Sequence, residues 1–415
     1  MVTLSRNTEQ EPAMVTVEFN PFAPGMLAHP YEMYRALREH DPIHRSEMME
    51  SWVLTRYDDI DKVLTDNRFS ADRQRARTRF AQMMEEQQAQ YGPMSSAQTM
   101  LTSDPPDHTR LRRLVSKAFT PRAVENLRPR IQQIVEYLLG EAGKKGEFDI
   151  VQELAYPLPV IVIAEMLGVP PEDRHRFKEW SDTIVATLGG PFTPPEVMQA
   201  GSAAIQELAD YIGEVIAERR AEPKEDLISG LIAAEEGGQV LSEDEIFATC
   251  ILLLVAGNET TTHLISNGML ALFRNPDQME RLRKDISLMP SAVEEFLRYT
   301  GPVHGTGRVP KEDIEIAGHV FHEGEMVFTL LAAGNRDPSH YPDPDVLDVG
   351  RNPTDHLALG DGIHFCLGAP LARAEAQIAI GTLLDRFPKL RSLEDEAEWG
   401  GTFIIRGVRR LNVSV

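Results

Sequence analysis

The sequence predicts a mainly helical fold, built as a single domain over residues 1–415, with short strands between some of the helices. The clearest indication is a regular, proline-free stretch that begins at a capping box, Ser242 with Glu245, and ends at Asn275-Pro276. The predicted strands, in contrast, are all short. Finally, no repeat, low-complexity linker or abrupt change of composition divides the chain.

The N-terminal half is predicted to consist of helices separated by turns. A helix over Tyr31 to His40 precedes a strand pair around Ile43 and Trp52 to Thr55. The segment from Asp104 to His108 is predicted to begin another helix, which ends at Thr120-Pro121. Residues 124 to 240 give several amphipathic helices, with breaks predicted at Gly140, at Pro157 with Pro159, from Gly168 to Pro171 and from Pro191 to Pro195.

The C-terminal half combines helices with short strands. A second capping box, Ser291 with Glu294, is predicted to start the helix that carries Glu295 to Arg298. Short strands are predicted around Thr306 to Val309, Ile314 to Ala317 and Met326 to Leu330, with turns at Gly318 and Gly324. A glycine-rich loop from Leu359 to Pro370 then leads into a helical run from Leu371 to Leu384.

Composition excludes several classes of protein. With 42 basic and 64 acidic side chains the net charge is −22, which argues against general nucleic-acid binding. Only Cys250 and Cys366 are present, so neither a disulfide framework nor a four-cysteine metal site is possible. The first thirty residues lack a secretion signal, and the longest apolar run, Cys250 to Gly257, is shorter than the ~20 residues of a membrane span. We therefore expect a cytoplasmic protein without a membrane anchor.

Cys366 is the residue most clearly placed for chemistry. Gly360, Gly362 and Gly368 permit a tight loop that brings this cysteine to the threshold of a helix. Unpaired amide groups and the positive end of the helix dipole stabilise a thiolate there, as a metal ligand requires. The alternative is a glycine-rich turn with a small buried cysteine.

The spacing of Gly360, Gly362, His364, Cys366 and Gly368 resembles the haem-binding loop of the cytochrome P-450 family. Haem iron held by a cysteine thiolate is a known property of that family. The resemblance covers nearly the whole chain and implies a helical prism with small sheets at one edge, a haem b cofactor and Cys366 as the metal ligand. Leu359 stands where the family usually has phenylalanine, which leaves the redox tuning open.

Further positions match the family residue by residue. His108 and Arg112, four apart in a helix, match a basic pair that holds a haem propionate, and Arg308 matches a second propionate partner. The alternative for the first pair is an exposed pair of side chains. By the same resemblance His364, Ala256, Gly257, Leu359, Gly360 and Gly368 line the cofactor.

The middle of the predicted long helix carries an acid and an alcohol, Glu259 and Thr260, after Ala256-Gly257. An ionisable group in an apolar helix is costly unless it is paired or functional, and a free Thr260 hydroxyl is able to open the helix locally. The segment resembles the oxygen-binding kink of the family, where the alcohol holds dioxygen and the acid helps to relay protons. The alternative is a helix-kinking threonine beside a solvated glutamate.

The pair Glu295 and Arg298 resembles a buried family pair that supports the cysteine loop. Arg336 and Arg351 are the candidates for a third member, an arginine from a later loop. The substrate pocket implied by family geometry is lined by Leu252, Val255, Val303, His304, Phe403 and Ile404. Two segments match variable parts of the pocket: residues 79 to 100, a loop over the substrate, and Gly189-Gly190-Pro191-Phe192, between two helices used as a lid.

The resemblance implies a monomeric hydroxylase or epoxidase of the kind used in secondary metabolism. It inserts one oxygen atom from O2 into a C–H bond of an apolar small molecule. Electrons come from a separate ferredoxin or flavodoxin with its NAD(P)H reductase, and the basic residues Arg110, Arg113, Lys117 and Arg122 form a candidate contact. Three alternatives remain: a peroxide-driven haem oxygenase, a haem protein that only carries electrons or senses gas, and a cofactor-free helical interaction protein. The acid and alcohol pair argues against the first two, and haem in the purified protein would exclude the third.

Overall fold

The computed structural model describes residues 17–79, 81–82, 99–187, 194–236 and 238–415. The helices are α1 Pro30–His40, α2 Tyr57–Thr65, α3 Asp107–Ala118, α4 Pro121–Gly143, α5 Pro157–Met166, α6 Arg174–Ala186, α7 Pro195–Ala221, α8 Leu227–Ala233, α9 Glu243–Arg274, α10 Pro276–Lys284, α11 Met289–Thr300, α12 Leu331–Gly334 and α13 Ala369–Arg386. The mainly helical architecture predicted from the sequence is confirmed. Most of the loop predicted over the substrate, and the 189–192 segment of the predicted lid, lie outside the described residues.

The strands are short and form small sheets. They are β1 Ile43–Ser46, β2 Ser51–Leu54, β3 Phe69–Ser70, β4 Glu147–Asp149, β5 Glu235–Glu236, β6 Gln239–Val240, β7 Thr306–Pro310, β8 Ile314–Ile316, β9 His319–Phe321, β10 Met326–Thr329, β11 Arg391–Ser392, β12 Glu398–Gly401, β13 Arg406–Arg410 and β14 Asn412–Ser414. The largest sheet has the order β1-β2-β10-β7-β3, in which β2 and β10 are parallel and the other pairs antiparallel. Strands β11-β14-β4 form a second sheet, and β12-β13 is a hairpin.

The long helix α9 organises the core. Its capping box is present as predicted: the Ser242 hydroxyl accepts from the Glu245 amide, and the Ser242 amide donates to the Glu245 carboxylate at 2.9 Å. The helix is 32 residues long and is buried on several sides, packing against α5, α11, α13 and β13. A helix enclosed in this way gives the side chains at its middle a fixed position relative to the elements around it.

Three local predictions are wrong in whole or in part. Helix α4 runs through Gly140, since a single glycine lowers helix stability without ending a helix. The break predicted at Pro157 with Pro159 is present at Pro157, where α5 begins after a π-helical turn that ends at Ala155, but the helix continues through Pro159, because prolines in the first turn lack only amide hydrogens that have no helical partner. Helix α11 begins at Met289, so Ser291 is not its cap; the Ser291 hydroxyl donates to the Val349 carbonyl instead.

Candidate active site

The loop around Cys366 is built by glycine turns and by its own backbone. Gly360 and Gly362 have φ values of 71° and 64°, in the region that only glycine adopts easily. A Cβ on Gly362 would lie 2.6 Å from the Leu64 carbonyl oxygen, so this position also needs the absence of a side chain. The Cys366 amide donates to the Leu359 carbonyl at 2.9 Å, which closes the loop just before α13.

The Cys366 thiol lies at the N-terminus of α13, as the sequence predicted. Burial raises the pKa of this thiol, while the amide groups of Gly368 and Ala369 and the charges of Arg112 and Arg373 lower it. The groups that stabilise a thiolate are therefore present, but together they lower the pKa less than burial raises it.

A cluster of basic side chains lies beside the cysteine loop. His108 and His364 have ring centroids 4.3 Å apart, and the Arg112 Nη2 donates to the Phe365 carbonyl at 2.7 Å. Arg308 is only 6% exposed. Burial, together with the charges of Arg308 and His108, lowers the pKa of His364 to about 3. The structure thus brings His108, Arg112, Arg308 and His364 together.

These basic side chains have no anionic hydrogen-bond partner among the described residues. The Arg308 Nη1 donates only to the Thr306 hydroxyl and the Gly307 carbonyl, at 3.3 and 2.9 Å. His108 is 3% exposed, and neither ring nitrogen has a hydrogen-bond partner within that part of the chain. Buried positive and polar groups in this state are expected to pair with an anion, and the two propionates of a haem have the required charge and geometry. The residues present therefore fit a haem.

The middle of α9 is open on one face. Ala256 is exposed although its neighbours Leu253, Leu254 and Asn258 are buried, and a Cβ built on Gly257 would meet no atom within 4 Å. The helix stays regular here, so the predicted local opening is not observed. Instead, the Thr260 hydroxyl donates to the Ala256 carbonyl at 2.6 Å, which satisfies both groups without a break in the helix.

Glu259 and Thr260 occupy the same turn of α9. The Glu259 Oε1 lies 3.6 Å from the His263 Nε2, and both side chains are largely buried. Glu259 is therefore not a solvated surface glutamate. The two residues that resemble a proton-delivery pair lie where the helix is open.

The predicted support pair is buried. Arg298 binds Glu295 through two N–H···O bonds of 2.7 Å, and neither side chain is exposed. Of the two candidates for a third member, Arg351 contacts Glu295 at 3.3 Å, whereas Arg336 pairs with Asp345 and the Tyr299 carbonyl. Arg298 also donates to the carbonyl groups of Asn335 and Pro344, so its buried guanidinium group is well supplied with hydrogen-bond acceptors.

The residues predicted to line the substrate pocket belong to different apolar clusters. Leu252 and Val255 pack on the main helical core, Val303 packs beside the large sheet, and Phe403 packs against Phe328. Ile404 is 36% exposed. His304 is buried, with its Nδ1 3.0 Å from the Tyr34 hydroxyl, so one side of its ring belongs to a polar contact with α1.

Of the basic residues proposed for an electron donor, Arg113 and Arg122 are exposed. The Lys117 Nζ is also exposed and donates to the Glu235 carbonyl. Arg110 does not belong with them, because its guanidinium binds the Glu245 carboxylate at the start of α9.

Sequence reasoning missed three buried polar groups near the site. His263 follows Glu259 by one turn, a spacing visible in the sequence. Glu375, on α13, is 2% exposed, and burial raises its pKa to about 8. In the sequence it is marked only by its position between two alanines. Glu294, taken for a helix cap, instead binds Arg373 and His356.

Comparisons with known proteins show the family of the chain. The family model for cytochrome P-450 matches residues 25–398. The chain is 44% identical to cytochrome P-450 CYP107DY1 of Priestia megaterium, over 92% of this chain and 94% of that protein. It is 42% identical to the cytochrome P-450 monooxygenase PikC of Streptomyces venezuelae, over 93% and 91%.

Solved structures give the same result. The polyketide synthase cytochrome P-450 PksS of Bacillus subtilis superposes with a TM-score of 0.86 at 40% identity, covering 95% of this chain and 99% of that one. The testosterone complex of CYP109E1 from Bacillus megaterium superposes with a TM-score of 0.83 at 38% identity, covering 93% and 99%.

Proposed function

The chain belongs to the cytochrome P-450 family, and we propose that Cys366 is the protein ligand of its haem iron. The protein is a haem b monooxygenase that acts on a small molecule, using O2 and a redox partner. The observation that carries the Cys366 assignment is the set of basic side chains beside its loop that lack an anionic partner among the described residues. His108, Arg112 and Arg308 would bind the haem propionates, and Arg112 is also close enough to Cys366 for its charge to lower the pKa of the thiol.

When bound, the haem supplies reductive activation of O2 and insertion of one oxygen atom into a C–H bond. The amide groups of Gly368 and Ala369 and the charge of Arg112 stabilise the Cys366 thiolate. Arg351, with the pair Glu295 and Arg298, holds the chain that precedes the cysteine loop. Leu359, in place of the usual phenylalanine, packs as a partly buried side chain on the helical core.

Thr260 and Glu259 are proposed to control proton delivery at the open face of α9. The Thr260 hydrogen goes to the Ala256 carbonyl, so the hydroxyl oxygen is left as an acceptor toward the ligand side. Glu259, one residue earlier, is a carboxylate able to take a proton from solvent and release it inside the site. The alcohol argues against a peroxide-driven oxygenase, and the acid and alcohol pair argues against a protein that only carries electrons.

We expect a mostly apolar substrate of medium to large size, such as a macrolide, terpenoid, steroid or fatty acid. Support comes from the apolar side chains Leu252 and Val255, which pack on the main helical core, and Val303 and Phe403, which pack on two other apolar clusters. Names of related proteins point the same way: a polyketide biosynthesis cytochrome P-450, a vitamin D(3) 25-hydroxylase and an enzyme crystallised with testosterone. A role in secondary metabolism is consistent with these names.

The electron donor is proposed to be a separate ferredoxin or flavodoxin, docked on Arg113, Lys117 and Arg122. We further propose a monomer, a single domain and a cytoplasmic location. The low cysteine content supports the last of these. Among the described residues, no helix combines the length and the apolar character needed to cross a membrane.

The ligand assignment is tested by the absorption of the reduced protein under carbon monoxide. The parent should show the long-wavelength band of thiolate ligation, and Cys366→Ser should lose it. Cys250→Ser is the matched control, because this second cysteine is buried in α9 and should not affect the band. A histidine-type spectrum in freshly prepared parent protein, or an unchanged band in Cys366→Ser, would contradict the assignment.

Substrate class is tested by the haem absorption shift with testosterone, vitamin D3 and hexadecenoic acid, and with sugars and small polar acids as the opposite class. We expect shifts with members of the first group. Tight binding of the second group alone would overturn the expectation.

A further inference from the structure

The histidine one turn after Glu259 lies at the interface between α9 and the strand β13. Its Nε2 is 3.6 Å from the Glu259 Oε1. Among the described residues, Glu259 is the acid found within ion-pair distance of this ring. The separation is longer than a hydrogen bond, but a small rotation of the glutamate side chain would close it.

Neither ring nitrogen of His263 has a hydrogen-bond partner in the part of the chain that the structure describes. The residue is 8% exposed. A neutral imidazole has one N–H and one acceptor nitrogen, and buried polar groups in folded proteins are generally satisfied. An unsatisfied buried ring beside a carboxylate therefore indicates an arrangement in which the two groups bond.

The position of the His263 ring is set by the backbone of β13. A Cβ built on Gly407 would lie 1.8 Å from the Nδ1 and 1.9 Å from the Cγ of His263, so the ring packs directly on the glycine. One turn further along α9, the Asn267 amide donates to the Arg406 carbonyl at 3.2 Å and its oxygen accepts from the Val408 amide at 3.2 Å. These bonds hold the helix and the strand together, and the ring cannot move toward the strand.

We propose that His263 is a positioning residue that donates its Nε2 hydrogen to the Glu259 carboxylate and holds it beside Thr260. The Nδ1, which faces the Gly407 backbone, is then the unprotonated nitrogen. This inference rests on the proposed role of Glu259 in proton delivery. In this role His263 acts through the glutamate and needs no contact of its own with substrate or haem.

The first test does not depend on activity. In the reduced carbon monoxide complex, which is diamagnetic, selective nitrogen-15 labelling of histidine reports which ring nitrogen carries the proton. We expect the His263 Nε2 to be protonated and its resonance to shift in Glu259→Gln. An unprotonated Nε2, or a protonated Nε2 whose resonance is the same in Glu259→Gln, would overturn the proposal.

The second test measures product formed per NAD(P)H, with a substrate selected by the absorption screen. His263→Phe keeps a ring of similar shape without the N–H and should lower this ratio by roughly tenfold, as loss of an orienting partner does. His263→Gln keeps an N–H donor and should retain most of the parent ratio of product to NAD(P)H. His319→Phe is the matched control, because His319 is a partly buried histidine packed on Trp52 with an unpartnered Nε2, far along the chain from α9.

A double variant separates this inference from the proposed function. If His263 acts through Glu259, His263→Phe should have no further effect in the Glu259→Gln background. Two effects that multiply would show that His263 acts independently, which overturns the positioning role. If Glu259→Gln and Thr260→Ala both keep the parent ratio, the proposed proton path fails, whatever His263 does.

Discussion

Arg373 holds the Glu294 carboxylate through two N–H···O bonds of 2.7 and 2.8 Å, and His356 contacts the same carboxylate at 3.2 Å. Arg373 lies on α13, seven residues after Cys366, and Glu294 lies on α11, next to Glu295. The helix that carries the support pair and the helix that follows the thiol are therefore joined by a partly buried ion pair.

Glu294→Gln should destabilise the folded protein. Burial opposes ionisation, but the bonds from His356 and Arg373 lower the pKa of Glu294 to about 2. A folded-state pKa below the unfolded value stabilises the protein above that unfolded value, and the stabilisation is lost as the pH falls toward 2. Urea unfolding at pH 7 should show a loss of about 3 kcal/mol, and the difference from the parent should shrink below pH 4.5.

Glu280→Gln is the control for this experiment. Glu280 forms an exposed pair with Lys284 at 3.3 Å, and such pairs contribute less than about 1 kcal/mol. Equal losses in the two variants, or a difference that stays constant down to pH 3, would contradict the role given to Glu294.

Arg308→Leu should weaken haem retention. Burial and the nearby charge of Arg73 lower the pKa of Arg308 to about 10, and the residue is still charged at neutral pH. A charge-assisted bond to a propionate is worth about 1.5–3 kcal/mol, so transfer of haem to excess apomyoglobin should be roughly tenfold to a hundredfold faster. Arg68→Leu, which removes an exposed arginine paired with Asp66, should transfer haem at the parent rate.

Thr260→Ala should uncouple electron use from product formation. Alanine favours the helix and leaves little void, so folding and haem content should be those of the parent. Consumption of NAD(P)H should continue while product per electron pair falls and hydrogen peroxide rises. Thr249→Ala is the matched control, because the Thr249 hydroxyl makes the same bond to a carbonyl four residues earlier in the same helix. Parent-level coupling in Thr260→Ala would remove this hydroxyl from the proton path.

The double change Lys117→Glu with Arg122→Glu should slow reduction by a ferredoxin or flavodoxin. Attraction between exposed charges raises the association rate, and salt screens it over about 10 Å at 0.1 M ionic strength. Stopped-flow reduction should therefore differ most from the parent at low salt. Lys284→Glu, on the exposed helix α10, serves as the control. Rates that respond to ionic strength equally in both proteins would place the docking surface elsewhere.

Sequence reasoning recovered the elements whose signals are local. The capping box at Ser242, the turns at Gly318 and Gly324 and the glycine turns of the cysteine loop appear as predicted, because short-range bonds decide them. The prediction of a helix cap at Ser291 failed. A serine followed three residues later by a glutamate matches a capping box, but here the Ser291 hydroxyl makes a tertiary hydrogen bond to the Val349 carbonyl. The partner of Glu295 also stayed open between Arg336 and Arg351, because only the folded path of the chain decides which arginine reaches a buried acid.

The contact between His263 and Gly407 lies at the end of a hairpin whose turn contains Phe403 and Ile404, two of the proposed substrate contacts. The Thr402 amide donates to the Ile405 carbonyl across this turn at 2.7 Å, so the turn and β13 are expected to move together. A ligand that displaces Phe403 would then also displace the glycine on which the His263 ring rests. Two ligands of equal affinity would then give different ratios of product formed to electrons consumed, according to how far each one displaces this turn.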